Sequence, residues 1–100
     1  MGEAKTTLFM ASKSPGESQG FETTLRLAKK GDAIAFIHDG VYFSQGAGRF
    51  AEALDAAVGR GVALHYLKPD LEARGVSAGE GAVDYDGLLD LIEKHAGVFS

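Results

Sequence analysis

Apolar residues along this chain fall into two alternating spacings. One short continuous apolar run occupies 33–37, bounded by polar or glycine-containing corners, and the more mixed segments 6–11 and 62–67 read as strands beside it. An unbroken run of that length predicts a strand buried on both faces, as in a parallel sheet. Between these segments apolar residues recur every three or four positions. Phe21, Leu25 and Ala28 predict a helix over 20–30, and Phe50, Leu54, Ala57 and Val58 predict a second over 47–60. Gly31 and Gly61 follow basic residues at the ends of these helices, the composition of a helix stop. Pro69 to Gly75 reads as a short helical turn, Ala82-Val83 as a brief fourth strand and Val98-Phe99 as a final edge strand. Asp84 is placed to cap a last helix whose buried face is marked by Tyr85, Leu88, Leu89 and Ile92. Strands alternating with helices across short loops require parallel pairing through crossovers, so the class is α/β.

Length and composition narrow the picture. The 100 residues suit one domain spanning 1–100, and 45% hydrophobic content is ordinary for a globular chain. No window approaches the roughly 18 consecutive apolar residues of a membrane span, and the start lacks a signal-peptide core, so a cytoplasmic protein is expected. Net charge is −4 and Lys29-Lys30 is the only adjacent basic pair. Direct nucleic-acid binding, which calls for a concentrated basic face, is not expected. The chain contains no cysteine, which removes disulfides, thiolate metal ligands and every thiol-based step from its own chemistry.

Candidate chemistry gathers where strands end, because loops at the carboxyl edge of an open α/β sheet meet ligands and partners. The second strand empties into His38, Asp39 and Gly40, followed by Tyr42. Lys13 and Ser14 follow the first strand, and Arg49, Asp70 and Arg74 flank the same edge. Lys13 and Arg49 are candidates for holding an anionic group, and Asp39 for fixing its loop by accepting backbone N–H bonds. Gly46-Ala47-Gly48-Arg49-Phe50-Ala51 matches a relaxed dinucleotide fingerprint, but eight residues separate the strand from Gly46, so a flexible loop before a helix is the expectation. His38, His65 and His95 fall on a strand exit, a strand interior and a helix end, without metal-site spacing. Ser14, His38 and Asp39 lack the strand–nucleophile–helix elbow of a hydrolase. No metal or cofactor is expected.

Several blocks in order resemble one family. They are Lys13-Ser14-Pro15, Leu27-Ala28-x-x-Gly31, Asp39-Gly40-Val41-Tyr42, Leu67-x-x-Asp70-Leu71-x-Ala73-Arg74-Gly75 and Val83-Asp84-Tyr85-x-x-Leu88-Leu89-x-Leu91. Together they resemble the DsrH/TusB family of sulfur-relay subunits within the DsrE-like fold. The resemblance implies a three-layer α/β/α domain with a central parallel sheet of about five strands in order 4-3-2-1-5. The first three helical segments would lie on one face and the last on the other. It implies partners of the DsrE/TusD and DsrF/TusC types, in complexes passing persulfide sulfur toward tRNA wobble 2-thiouridine or within sulfur oxidation. Some members carry a cysteine early in the first helix; Thr24 stands at that position here, and Phe99 stands near the family's C-terminal tryptophan. A hydroxyl cannot form a persulfide, so a non-catalytic subunit is expected. The rival expectation is a stand-alone homo-oligomer binding a small anionic metabolite in the same cleft. Phe43, Phe50 and Phe99 are expected to be partly exposed and to mark an interface between copies or with partners.

Overall fold

The computed structural model describes residues 6–18, 20–77 and 81–99. Five strands form one parallel sheet: β1 (Thr7–Ala11), β2 (Ala33–Phe36), β3 (Ala63–Leu67), β4 (Ala82–Val83) and β5 (Gly97–Phe99). Their spatial order is β4-β3-β2-β1-β5, as the family resemblance implies. The register sets Ala11 beside Phe36, Phe36 beside Tyr66 and Tyr66 beside Ala82, while β5 pairs Phe99 with Phe9.

Alternation along the strands divides the core into two layers. Phe9, Ile34, Phe36 and Tyr66 point to one face and pack under α1 (Phe21–Leu27), α2 (Ala51–Gly59) and α3 (Lys68–Arg74) through Phe21, Leu25, Leu54, Ala57 and Leu71. The alternate residues Leu8, Ala33 and Ala35 point to the other face, where Leu88 and Leu91 of α4 (Tyr85–Lys94) cover them. All four residues of β2 are buried, as the apolar run predicts.

Three expectations need correction. The first helix ends at Leu27 rather than near Lys30, because the buried Asp32 carboxylate takes the Lys29 N–H at 3.0 Å and the Thr7 N–H at 2.8 Å. Arg60, from the end of α2, donates to the Leu25 and Ala28 carbonyls at 2.6 and 3.0 Å, satisfying acceptors that the short helix leaves over. The stretch 38–45 is not a flexible loop but a 3₁₀ segment, His38–Gln45, that folds back over β2. It carries Phe43 to within 4.9 Å of the Phe36 ring, and Phe50 meets Phe21 edge-on at 5.4 Å, so two of the three expected interface aromatics are buried, while Phe99 is exposed. Third, the apolar face of α4 is wider than its seat. Leu88 and Leu91 reach the sheet, but Tyr85, Leu89 and Ile92 remain exposed because the small side chains of Ala33 and Ala35 accept only one seam of the helix. Asp84 caps α4 as expected, accepting the Gly87 N–H at 2.8 Å.

Candidate functional site

Parallel pairing of β1 with β2 puts the segments after both strands on the same carboxyl edge of the sheet. Gly40 fixes how closely they meet. A Cβ there would fall on the Ala11 carbonyl oxygen, which already accepts the Ile37 N–H at 2.9 Å. Gly40 is therefore required by close backbone approach.

The predicted residues on this edge separate into two groups. The first is a polar corner. Asp70 accepts the His38 N–H at 2.7 Å, and Arg74 donates through Nε to Asp39 at 2.9 Å while its Nη1 lies 3.6 Å from Asp70. Asp39 thus pairs with arginine, and Asp70 performs the loop-fixing role expected of Asp39. The Asp39 bond also holds the Arg74 guanidinium above its ordinary pKa. His38 sits at φ 50°, a left-handed conformation uncommon for a residue with a side chain, and its backbone bond to Asp70 holds it there. Tyr42 is half-buried in the same 3₁₀ segment.

The second group surrounds a cavity of about 340 Å³ at the end of β1. Lys13 and Thr24 line it, together with Phe9, Met10, Ala11, Ser12, Ser18, Gly20, Phe21 and Phe99. Ser18 is spoken for, donating its hydroxyl to the Lys13 and Ser14 carbonyls at 3.2 and 2.7 Å. Phe9 and Phe99 meet edge-to-face at 5.9 Å and 75°, forming one wall. Arg49 is not among the lining residues. It lies over the Phe50 ring at 4.8 Å and reaches the Ser18 carbonyl at 3.4 Å, so Lys13 and Arg49 do not line the same cavity. Ser14 precedes the 3₁₀ turn Pro15–Glu17 and contributes its carbonyl to Ser18. The aromatic walls were not foreseen. Their signal was the strand order itself, which sets Phe99 beside Phe9.

The three histidines occupy separate places. His38 is exposed at the carboxyl edge, and His65 is half-buried within β3. His95 ends α4, buried, with Nδ1 2.8 Å from the Thr6 hydroxyl. Among the described residues no three His, Asp or Glu side chains converge as a metal site would require.

Burial is the main cause holding both His65 and His95 below the ordinary value near 6.5. The Lys94 charge adds to this at both, and His95 adds at His65, while Asp32 opposes it at His95. The folded state therefore favours the neutral rings, and unfolding takes up protons once the pH drops below that ordinary value. Stability from these sites is complete above about pH 7 and declines as pH falls through about 6.5. The urea midpoint should drop between pH 7.5 and 5.5, and a His65→Gln/His95→Gln variant should show a shallower drop. Equal slopes would contradict this assignment.

Against known proteins, the family profile described as DsrH like protein matches residues 13–98. The chain belongs to the DsrH family. This DsrH-family chain is 36% identical over 83 residues to Protein TusB of Salmonella enteritidis, covering 79% of this chain and 84% of that protein. With Protein TusB of Photorhabdus laumondii it shares 35% identity over 92 residues, 88% of this chain and 93% of the other. The solution NMR structure of Protein Tm0979 from Thermotoga maritima superposes with a TM-score of 0.62 over 88% of this chain and 92% of that chain, at 22% identity. That likeness establishes a shared fold. No helix among the described residues is long and apolar enough to cross a membrane.

Proposed function

We propose that this chain is a non-catalytic subunit of a sulfur-relay complex, built with DsrE/TusD-like and DsrF/TusC-like partners. The observation that carries this reading is its membership of the DsrH family across residues 13–98. Similarity to TusB proteins along most of the chain favours tRNA wobble-uridine thiolation over sulfur oxidation as the setting. With no cysteine, the chain has no thiolate to attack or hold sulfane sulfur. Its contribution is then structural: it positions the sulfur-carrying partners and shields their intermediate from water and stray thiols.

Two features support such a role. Tyr85, Leu89 and Ile92 leave an apolar stripe along α4, and Val98 and Phe99 expose side chains on the edge strand β5. Apolar surface of this kind favours a covering partner. The Asp39–Arg74–Asp70 corner gives the carboxyl edge of the sheet a fixed polar shape of its own, suited to defining the orientation of a docked chain.

Reconstitution with DsrE- and DsrF-like chains from the same organism and a persulfide donor tests the reading. Sulfur should appear on a partner cysteine, the intact mass of this chain should stay unchanged, and omitting this chain should slow transfer to the downstream acceptor at least tenfold. Transfer at an undiminished rate without it would refute the role.

A further inference from the structure

We propose that α4 and β5 form a pH-operated latch on the sheet, closed while the rings of His65 and His95 are neutral and released when they take up protons. The inference is independent of the sulfur-relay reading and starts from how lightly this unit is held. No residue of α4 is buried, and its seat is the small cluster in which Leu88 and Leu91 meet Leu8, Ala33 and Ala35, apart from the aromatic core. β5 lies at the sheet edge, pairs only with β1, and leaves Val98 and Phe99 exposed. The corner between α4 and β5 is where the unit is fastened. His95 is buried there with Nδ1 2.8 Å from the Thr6 hydroxyl, and the Ala96 and Gly97 N–H groups donate to the Thr6 carbonyl at 3.0 and 3.3 Å.

The two histidines are set so that protonation works against this corner. His65 lies in β3 between Leu64 and Tyr66, which pack on the opposite face, and beside Ala35, so it stands on the face that α4 covers. There it feels the charges of His95 and Lys94, both from the end of α4. His95 in turn feels Lys94 on its own element and Asp32 at the start of β2. In acid the corner therefore holds three cations, Lys94, His95 and His65. Asp32 opposes them, but its two oxygens already accept the Thr7 and Lys29 N–H groups at 2.8 and 3.0 Å. Asp90 and Glu93 of α4 are exposed to solvent, and β4, the other neighbour of β3, consists of Ala82 and Val83. Charging a buried ring costs free energy that opening recovers by hydrating it. Because the closed form holds both rings below the ordinary 6.5, closure is strongest above about pH 7 and weakens as pH falls through about 6.5. Opening separates only the small cluster and one edge strand, while β1, β2 and β3 keep the aromatic core. Release also takes Phe99 out of the wall of the cavity at the end of β1.

Residue-resolved hydrogen exchange on the unaltered chain tests this. Amides of 88–97 should open separately from the core, with protection at least about tenfold below that of 33–36 and 63–67 at every pH. Between pH 7.5 and 5.5, after correction for intrinsic exchange, their protection should fall about tenfold. His65→Gln/His95→Gln should remove most of that fall, and Lys94→Gln, at an exposed position, should reduce it. Protection of 88–97 equal to that of the core would overturn the proposal, because the unit would then open only when the whole chain unfolds. A fall absent in the unaltered chain, or one that persists undiminished in both variants, would overturn it as well. A second measurement stands even if the double variant folds poorly. In the unaltered chain the His65 and His95 ring resonances should titrate with midpoints below 6.5, and amide shifts at 97–99 should move at the His95 midpoint. Ring midpoints at or above 6.5, or 97–99 shifts indifferent to the His95 titration, would contradict the latch.

Discussion

Phe36→Ala is expected to destabilise the chain by about 3–5 kcal/mol, a large part of the roughly 5–15 kcal/mol available to a domain. Phe36 is fully buried at the centre of the sheet and touches aromatic rings on three sides. It stacks on Tyr66 at 4.8 Å and 15°, tilts against Phe43 at 4.9 Å, and meets Phe21 edge-on at 6.1 Å. Truncation removes these contacts at once and leaves a void between rigid rings that cannot collapse into it. Because Phe43 belongs to the 3₁₀ segment over β2, the loss also loosens the polar corner that follows the strand. Urea denaturation should show the midpoint falling at unchanged slope. A second readout is Tyr66, whose phenol is held above its ordinary pKa by burial and should titrate nearer about 10 in the variant. A cost below about 1 kcal/mol would mean that the aromatic cluster is not the centre of the core.

Gly40→Ala carries the next largest effect, and two physical terms oppose each other there. Gly40 does not adopt a positive φ, so alanine would restrict the unfolded chain and stabilise by about 0.4–1 kcal/mol if space allowed. Space does not allow it. The added methyl lands on the Ala11 carbonyl, a backbone group tied into the β1–β2 junction by the Ile37 N–H and unable to swing aside as a side chain would. Overpacking usually costs about 1–3 kcal/mol, and a backbone clash belongs at or above the top of that range. Gly59→Ala in α2 is the matched control. Nothing lies within 4 Å of its Cβ, so the same chemical change should raise stability slightly. If both variants behaved alike, close approach at Gly40 would not be the reason for its glycine.

How much of this was legible in the sequence depends on how local each signal is. The four residues of β2 form a continuous apolar run and are all buried; the Asp84 cap and the glycine stops at Gly61 and Gly75 are equally local, and all are found where expected. Strand order is not local, and it came from the family resemblance rather than from periodicity. The segment from His38 to Gln45 was misread because its polar and glycine residues have the composition of a loop. Its fate is decided by Val41 and Phe43 finding Phe36 beneath them. The stripe on α4 shows the converse: periodicity reports how wide an apolar face is, and only the opposing Ala33 and Ala35 determine how much of it is covered. The predicted site residues lie on one edge of the sheet, but the cavity needs Phe9 and Phe99 from opposite ends of the chain. Lys13 and Thr24 were singled out in advance; the walls around them depend on β5 returning beside β1.

The central claim is that this chain works as one subunit of a sulfur-relay assembly. Its most direct test is the solution mass, by light scattering after size exclusion, of the chain co-expressed with its DsrE- and DsrF-like partners. The account predicts a single hetero-oligomeric species containing all three chains in fixed ratio. Elution of this chain apart from both partners, at the mass it shows when expressed alone, would contradict it.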